Sequence, residues 1–250
     1  MTLPPAFLSR PIAHRGLHDR AQGRIENSRA AVRAAVAAGY GIEIDLQLSA
    51  DGVPMVFHDE ALARLTGRPG LVAEHDAASL GAMTLLGGDD GIPTLAEVLG
   101  IVAGKVALLI EVKDQDGLLG PDVGALEQAT AGTLAGYAGP VAVMSFNPHS
   151  MAAMARLAPA IPRGLTTSAY RPSDWSPVPD ATCDRLREIP DYAATGSCFI
   201  SHEALDLARP RVAALKTAGA SVLCWTIRSA AAEARARAVA DNVTFEGYAA

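Results

Sequence analysis

The sequence predicts an α/β protein, a (β/α)8 TIM barrel with a β-hairpin arm, and three observations carry that expectation. Leaving the arm aside, about eight apolar, β-branched stretches mostly alternate with helical ones along the 250 residues. Only Ser49-Ala50-Asp51-Gly52 separates the strand Gly41 to Leu48 from the strand Val53 to Phe57. A parallel crossover needs about a dozen residues, so this pair must be an antiparallel hairpin. Finally, no Gly-x-Gly-x-x-Gly follows the first strand, which argues against an open dinucleotide-binding sheet.

In order, Pro11 to His14 reads as a short buried strand, and Asn27 or Ser28 can cap a helix that runs through Ala38 and ends at Gly39. The hairpin follows, its pairing expected to set Ala50 near Val53 and Leu46 near Phe57, which lands His58 close to Asp45. Residues 60–93 are polar, glycine-bearing and poorly periodic, a small excursion at the barrel mouth. Thr94-Leu95-Ala96-Glu97 is a capping box opening a helix to about Val102. Strands are expected at Lys105 to Val112, Pro140 to Phe146, Arg163 to Ser168, Ser197 to Ser201, Ala220 to Ile227 and Asn242 to Glu246. Helices fill Pro121 to Gly136, Pro148 to Leu157, Pro210 to Ala218 and Ser229 to Ala240, while the prolines of Tyr170 to Pro190 mark a long loop with at most one short helix. No repeat or linker divides residues 1–250, so one domain is expected.

Composition narrows the function. Half the residues are hydrophobic, and a net charge of -6 argues against a nucleic-acid surface, which normally carries a basic patch. No apolar run reaches the roughly 18 residues of a spanning helix, and Met1 to Pro5 opens no signal peptide. Cys183, Cys198 and Cys224 are odd in number with no Cys-x-x-Cys spacing, so they read as reduced core residues of a cytoplasmic protein. No motif specifies an oligomeric state.

The chemistry-bearing residues fall at strand ends. Glu43 and Asp45 lie two apart on an apolar strand, so both point to one face, and burying two carboxylates there calls for a divalent cation. Glu111 would complete an oxygen set suited to Mg²⁺, Ca²⁺ or Mn²⁺. His14 and His58 suit general acid–base work near neutrality, and Arg15 and Lys113 suit an anion clamp. In a barrel these ends share one mouth, together with Trp225 on a late strand, a candidate substrate-lining residue. A metal, two cations and two proton-transfer groups match phosphodiester cleavage best. Ser145 lacks a nucleophile elbow, which argues against a serine hydrolase.

The ordered set His14-Arg15-Gly16, Glu26-Asn27-Ser28, Glu43-Ile44-Asp45, Asp51-Gly52, Val56-Phe57-His58-Asp59, Ile92-Pro93-Thr94-Leu95, Ile110-Glu111-Val112-Lys113, Ser145-Phe146 and Trp225-Thr226 resembles the glycerophosphodiester phosphodiesterase family, most densely over residues 11–113. The resemblance implies a TIM barrel with Glu43, Asp45 and Glu111 on Mg²⁺ or Ca²⁺, with Glu26 a ligand or close neighbour of the metal. It implies His14 and His58 as the acid–base pair, Arg15 and Lys113 near the phosphate, and a small-molecule diester cut through an attack by the glycerol 2-hydroxyl. Two positions depart from the family pattern: many relatives carry Asn or Asp near Arg228, and many end the last strand with Thr-Asp where this chain has Thr244-Phe245-Glu246. A lysophospholipase D acting on lipidated substrates is the enzymatic alternative, with leucines of the 60–93 excursion as a possible apolar rim. A barrel that binds phosphate or metal without turnover is the alternative from another class.

Overall fold

The protein is described here by a computed structural model covering residues 1–250. Nine strands occur in chain order: β1 (Ile12–Ala13), β2 (Gly41–Leu48), β3 (Pro54–Val56), β4 (Leu108–Val112), β5 (Val141–Ser145), β6 (Arg163–Thr167), β7 (Phe199–Glu203), β8 (Ser221–Ile227) and β9 (Asn242–Phe245). Eight of them pair in parallel, and β1 bonds both β2 and β9, so the sheet closes into a barrel with β3 hanging outside as the hairpin arm.

The helices are α1 (Ala6–Ser9), α2 (Arg29–Ala38), α3 (Ala63–Thr66), α4 (Ala77–Gly81), α5 (Leu95–Val102), α6 (Ala125–Leu134), α7 (Pro148–Leu157), α8 (Asp180–Arg187), α9 (Pro210–Thr217) and α10 (Ala230–Ala236). Each parallel strand except the last, β9, is followed by at least one helix that returns the chain along the outside. Local chemistry sets their ends. Ser28 Oγ accepts the Ala31 N–H at the start of α2 and Gly39 closes it left-handed, while Thr94 and Glu97 form the expected capping box of α5. No helix is long and apolar enough to cross a membrane.

Strand alternation sorts the side chains into two cores. Outward residues such as Ile42, Ile44, Leu46, Ile110, Val143, Ile200, Val222 and Val243 pack under the helices. Inward residues at the barrel floor, Ile12, Leu109, Ala142, Phe199 and Leu223, pack with Leu3 and Phe7. Phe7 belongs to α1, a helix too short to read from periodicity; it plugs the bottom of the barrel and is tied to β9 by Asn242, whose side chain donates to the Phe7 and Arg10 carbonyls.

The hairpin register differs by one residue from expectation: Leu46 pairs with Val56, Gln47 with Met55 and Leu48 with Pro54. The cause is the turn. Ser49 N donates to Val53 O and Ser49 Oγ accepts the Val53 N–H, which leaves three residues in the loop with Gly52 left-handed at φ 79°. That is the three-residue hairpin turn rather than a two-residue one. Strand β7 also begins two residues later than expected, because Ser197 N and Oγ bond back to the preceding turn at Tyr192 and Thr195.

The excursion of residues 60–93 is more ordered than its composition suggests. Short helices α3 and α4 bring Leu62, Leu65, Val72, Leu80, Met83, Leu85 and Ile92 onto Met55 and Phe57 of the arm, a separate core beside the barrel mouth. Of the leucines considered as a lipid-facing rim, Leu62, Leu65, Leu80 and Leu85 are therefore buried, and only Leu71 and Leu86 are exposed.

Candidate active site

Register brings the acids together. Asp45 on β2 pairs directly with Glu111 on β4, and Glu43 lies two residues down the same inward face. All three are buried, and one carboxylate oxygen from each lies within 4.8 Å of the others. Burial drives the Glu43 carboxyl well above its ordinary pKa, reinforced by the charges of Asp45 and Glu111. Burial also pushes on Asp45, but Lys113, His58, Arg15 and an N–H···O bond from Asn27 (2.9 Å) win and hold it ionised. Three hard oxygen donors with a surplus of negative charge fit a divalent cation. Lys113 Nζ donates to Glu111 at 2.8 Å and sits 3.5 Å from Asp45; despite its burial these carboxylates hold it firmly protonated.

The loop after β1 carries the next groups. Arg15 adopts φ 55° and Asn27 φ 58°, conformations disfavoured for residues with a side chain and found here in two residues that touch the acids. The Arg15 N–H donates to Glu43 at 2.9 Å, and its Nη1 donates to Glu26 at 2.7 Å. Its buried Nε lies 3.4 Å from Asp45 without a hydrogen bond.

Each histidine is held at Nδ1 by a carboxylate, which turns Nε2 toward the site. His14 Nδ1 meets Glu246 at 2.5 Å, and its Nε2 is 4.0 Å from Glu43. Burial lowers the His14 pKa in spite of that carboxylate, and the bond from His14 keeps Glu246 far below the ordinary carboxyl range. His58 Nδ1 meets Asp59 at 2.7 Å. Arg64 on α3 then bridges two acids: it donates to Asp59 at 2.5 and 3.1 Å and to Glu26 at 2.8 and 2.9 Å. An unbroken chain of ion pairs and hydrogen bonds therefore links Arg15, Glu26, Arg64, Asp59 and His58.

His14, Arg15, Glu43, Asp45, His58, Glu111, Lys113 and Trp225 all line one small cavity of about 60 Å³, which also takes in Phe146. Its open side continues past His58, Lys113 and Phe146 into a groove of about 660 Å³ walled by Leu119, Trp175, Pro177 and Val178. The ring of Phe146 meets Trp175 and Trp225 edge-on, at 4.8 and 5.5 Å.

The model of the glycerophosphoryl diester phosphodiesterase family matches residues 14–243. The chain belongs to that family. Among curated members, a glycerophosphodiester phosphodiesterase of Caldanaerobacter subterraneus is 32% identical over 174 residues, 66% of this chain and 69% of that one. Among solved structures, an Oleispira antarctica phosphodiesterase in complex with the product sn-glycerol-3-phosphate superposes with a TM-score of 0.78 at 26% identity, covering 96% of this chain and 94% of that one. The glycerophosphodiester phosphodiesterase of Thermotoga maritima shares the fold at a TM-score of 0.70 and 20% identity, covering 94% of each chain.

All nine residues singled out from this family member's sequence gather here, with Glu26 reaching the cavity through Arg15 rather than lining it. Arg64, Asp59 and Trp175 were not assigned a place from sequence. Asp59 adjoins His58 and was the most accessible of the three; Arg64 and Trp175 lie in segments without periodicity, and nothing local marks them. Asn27 is not the cap of α2, a place taken by Ser28, but a ligand of Asp45. His202 faces outward between Thr167 and Asp206, away from the cavity.

Proposed function

We propose that the chain is a metal-dependent hydrolase of glycerophosphodiesters that works through His14 and His58. The observation that carries this reading is that both imidazoles, each with Nδ1 tied to a carboxylate, line the same cavity as a buried carboxylate triad and two fixed cations. Glu43, Asp45 and Glu111 would hold one divalent ion, Mg²⁺ or Ca²⁺ with Mn²⁺ as a third choice, and Glu26 supports the set through Arg15. Such an ion supplies Lewis-acid stabilisation of charge on the phosphoryl oxygens.

Arg15 and Lys113 bind the phosphate, and the wall formed by Phe146 and Trp225 packs against the organic part of the substrate. One imidazole, neutral at the outset, takes the proton of the glycerol 2-hydroxyl as its oxygen bonds to phosphorus. The other, protonated, gives its proton to the departing alcohol as the original P–O bond breaks. Water then adds to the cyclic phosphate, its proton returning through the same pair, and ring opening gives glycerol 3-phosphate. The internal hydroxyl is already next to phosphorus, so proximity lowers the barrier by several kcal/mol. Burial lowers the His14 pKa, which favours the unprotonated form that a base needs.

The test uses glycerophosphocholine, glycerophosphoethanolamine and glycerophosphoglycerol with Mg²⁺, Ca²⁺, Mn²⁺ or EDTA, reading released glycerol 3-phosphate. Turnover lost in EDTA and in His14→Ala is the expected result; turnover indifferent to both overturns the mechanism. A second reading, action on lysophospholipids, is favoured by the apolar wall of Leu119, Trp175, Pro177 and Val178. Lysophosphatidylcholine in the same panel decides between them by relative kcat/KM.

A further inference from the structure

Two hydroxyls in the catalytic cavity are used by nothing else in the chain. Ser201 Oγ and Thr244 Oγ1 are buried, line the cavity with His14 and Trp225, and have no hydrogen-bond partner in the protein. Their orientation follows from alternation: Ile200 on β7 and Val243 and Phe245 on β9 pack under the helices, which turns Ser201 and Thr244 into the barrel. Two neighbouring hydroxyls on inner strands are satisfied. Ser145 Oγ donates to the Val112 carbonyl and Thr167 Oγ1 pairs with His202. Two further hydroxyls are unpaired, but Thr166 opens onto a separate cavity beside Tyr170 and Thr130 lies on α6, outside the catalytic cavity.

The cavity is also divided in charge. Its β2 and β4 side carries Glu43, Asp45, Glu111 and Lys113, with Arg15 beside them. The β7 to β9 side offers the two neutral hydroxyls and the Trp225 ring, fixed by an N–H···O bond of 2.9 Å to the Ser201 carbonyl. Phosphate oxygens only accept hydrogen bonds and are served by the cations. A hydroxyl both donates and accepts, so its natural counterpart is another alcohol, and an aromatic ring suits the C–H faces of a polyol. The wide groove beyond His58 contains neither Ser201, Thr244, Trp225 nor His14.

We propose that Ser201 and Thr244 form the subsite for the hydroxyls of the glyceryl group, so that the diester lies with glycerol against β7–β9 and its other alcohol along the groove. The inference rests on the glycerophosphodiester reading above. It makes the two side chains specificity determinants: the small enclosed end demands a polyol, and the open end accepts varied alcohols.

The experiment measures binding of sn-glycerol 3-phosphate and of methyl phosphate to the Mg²⁺-loaded protein by calorimetry, in wild type, Ser201→Ala, Thr244→Val and the double variant, with melting curves for each. Each substitution is expected to weaken glycerol 3-phosphate about three- to tenfold, the worth of one neutral hydrogen bond, and to leave methyl phosphate within about twofold. Melting temperatures should not fall, because an unpaired buried hydroxyl is being removed. Equal losses for both ligands would assign the hydroxyls to phosphate and overturn the proposal, as would unchanged binding of both. A wild type that hydrolyses no glycerophosphodiester sinks the functional reading instead; an active wild type with unaffected variants sinks only this subsite.

Discussion

Replacing Glu43 by glutamine should make the metal-free protein more stable while removing its response to metal. The side chain is only 2% exposed, and its carboxyl is raised by burial and then by Asp45 and Glu111. A carboxyl raised in the folded state acts oppositely to a salt-bridged one. Its contribution is complete below the unfolded value of 4.5 and is lost as pH rises through the folded value, at about 1.4 kcal/mol per pH unit. At the 4.8 Å that bounds the oxygen separations, one pair of carboxylates repels by about 3.5 kcal/mol with an effective dielectric constant near 20. Glutamine keeps an oxygen for the Arg15 N–H and carries no charge at any pH. In EDTA at pH 8, Glu43→Gln should therefore exceed wild type by about 1–3 kcal/mol, a rise in Tm of roughly 2–10 °C. Adding Mg²⁺, Ca²⁺ or Mn²⁺ should reverse the order, since only wild type retains all three carboxylates of the proposed ligand set. Calorimetric melts with and without EDTA provide the assay. A variant less stable than wild type in EDTA, or one that keeps the full metal-induced shift, would refute the electrostatic argument.

Other substitutions probe the supports of the site. Arg64→Gln removes the bridge between Glu26 and Asp59; because the side chain is half exposed, stability should change by less than about 1 kcal/mol, while kcat should fall about 10- to 100-fold. Comparing kcat with Tm separates the two effects. Glu246→Gln removes the partner that raises the His14 pKa against burial, so the acid limb of kcat/KM should move to lower pH as its maximum falls about 100-fold; a limb that moves upward contradicts the pairing. Gly16→Ala places a Cβ 2.9 Å from the Ala31 backbone at φ 78° and should cost about 2–4 kcal/mol in urea denaturation.

Much of the site was legible because strand geometry is periodic. Glu43 and Asp45 two apart on an apolar strand must share a face, and the four-residue link before Val53 could only be a hairpin. The register of that hairpin was not legible, since Gly52 allows turns of different length and the choice falls to Ser49, whose backbone and hydroxyl both bond Val53. The bridge made by Arg64 was invisible for another reason: Glu26 lies 38 residues away, and α3 is one short turn with no pattern of its own. Leu62, Leu65, Leu80 and Leu85 looked like a rim because short helices leave no period from which to infer a buried side; packing on Met55 and Phe57 decides it.

The separate core under the arm has a consequence for how the molecule fails. His58, Asp59 and Arg64 stand on that small cluster, whereas the three acids lie in strands paired on both sides and His14 directly follows β1, its N–H bonded to the Phe245 carbonyl of β9. A unit with so little apolar surface opens at a lower free energy than the barrel that carries it. Amide exchange in residues 54–93 should run ahead of that in β2, β4 and β5, and warming should silence the protein while its barrel signal persists. One half of the proposed acid–base pair is thus built into the permanent frame, and the other is mounted on a part that can detach and return.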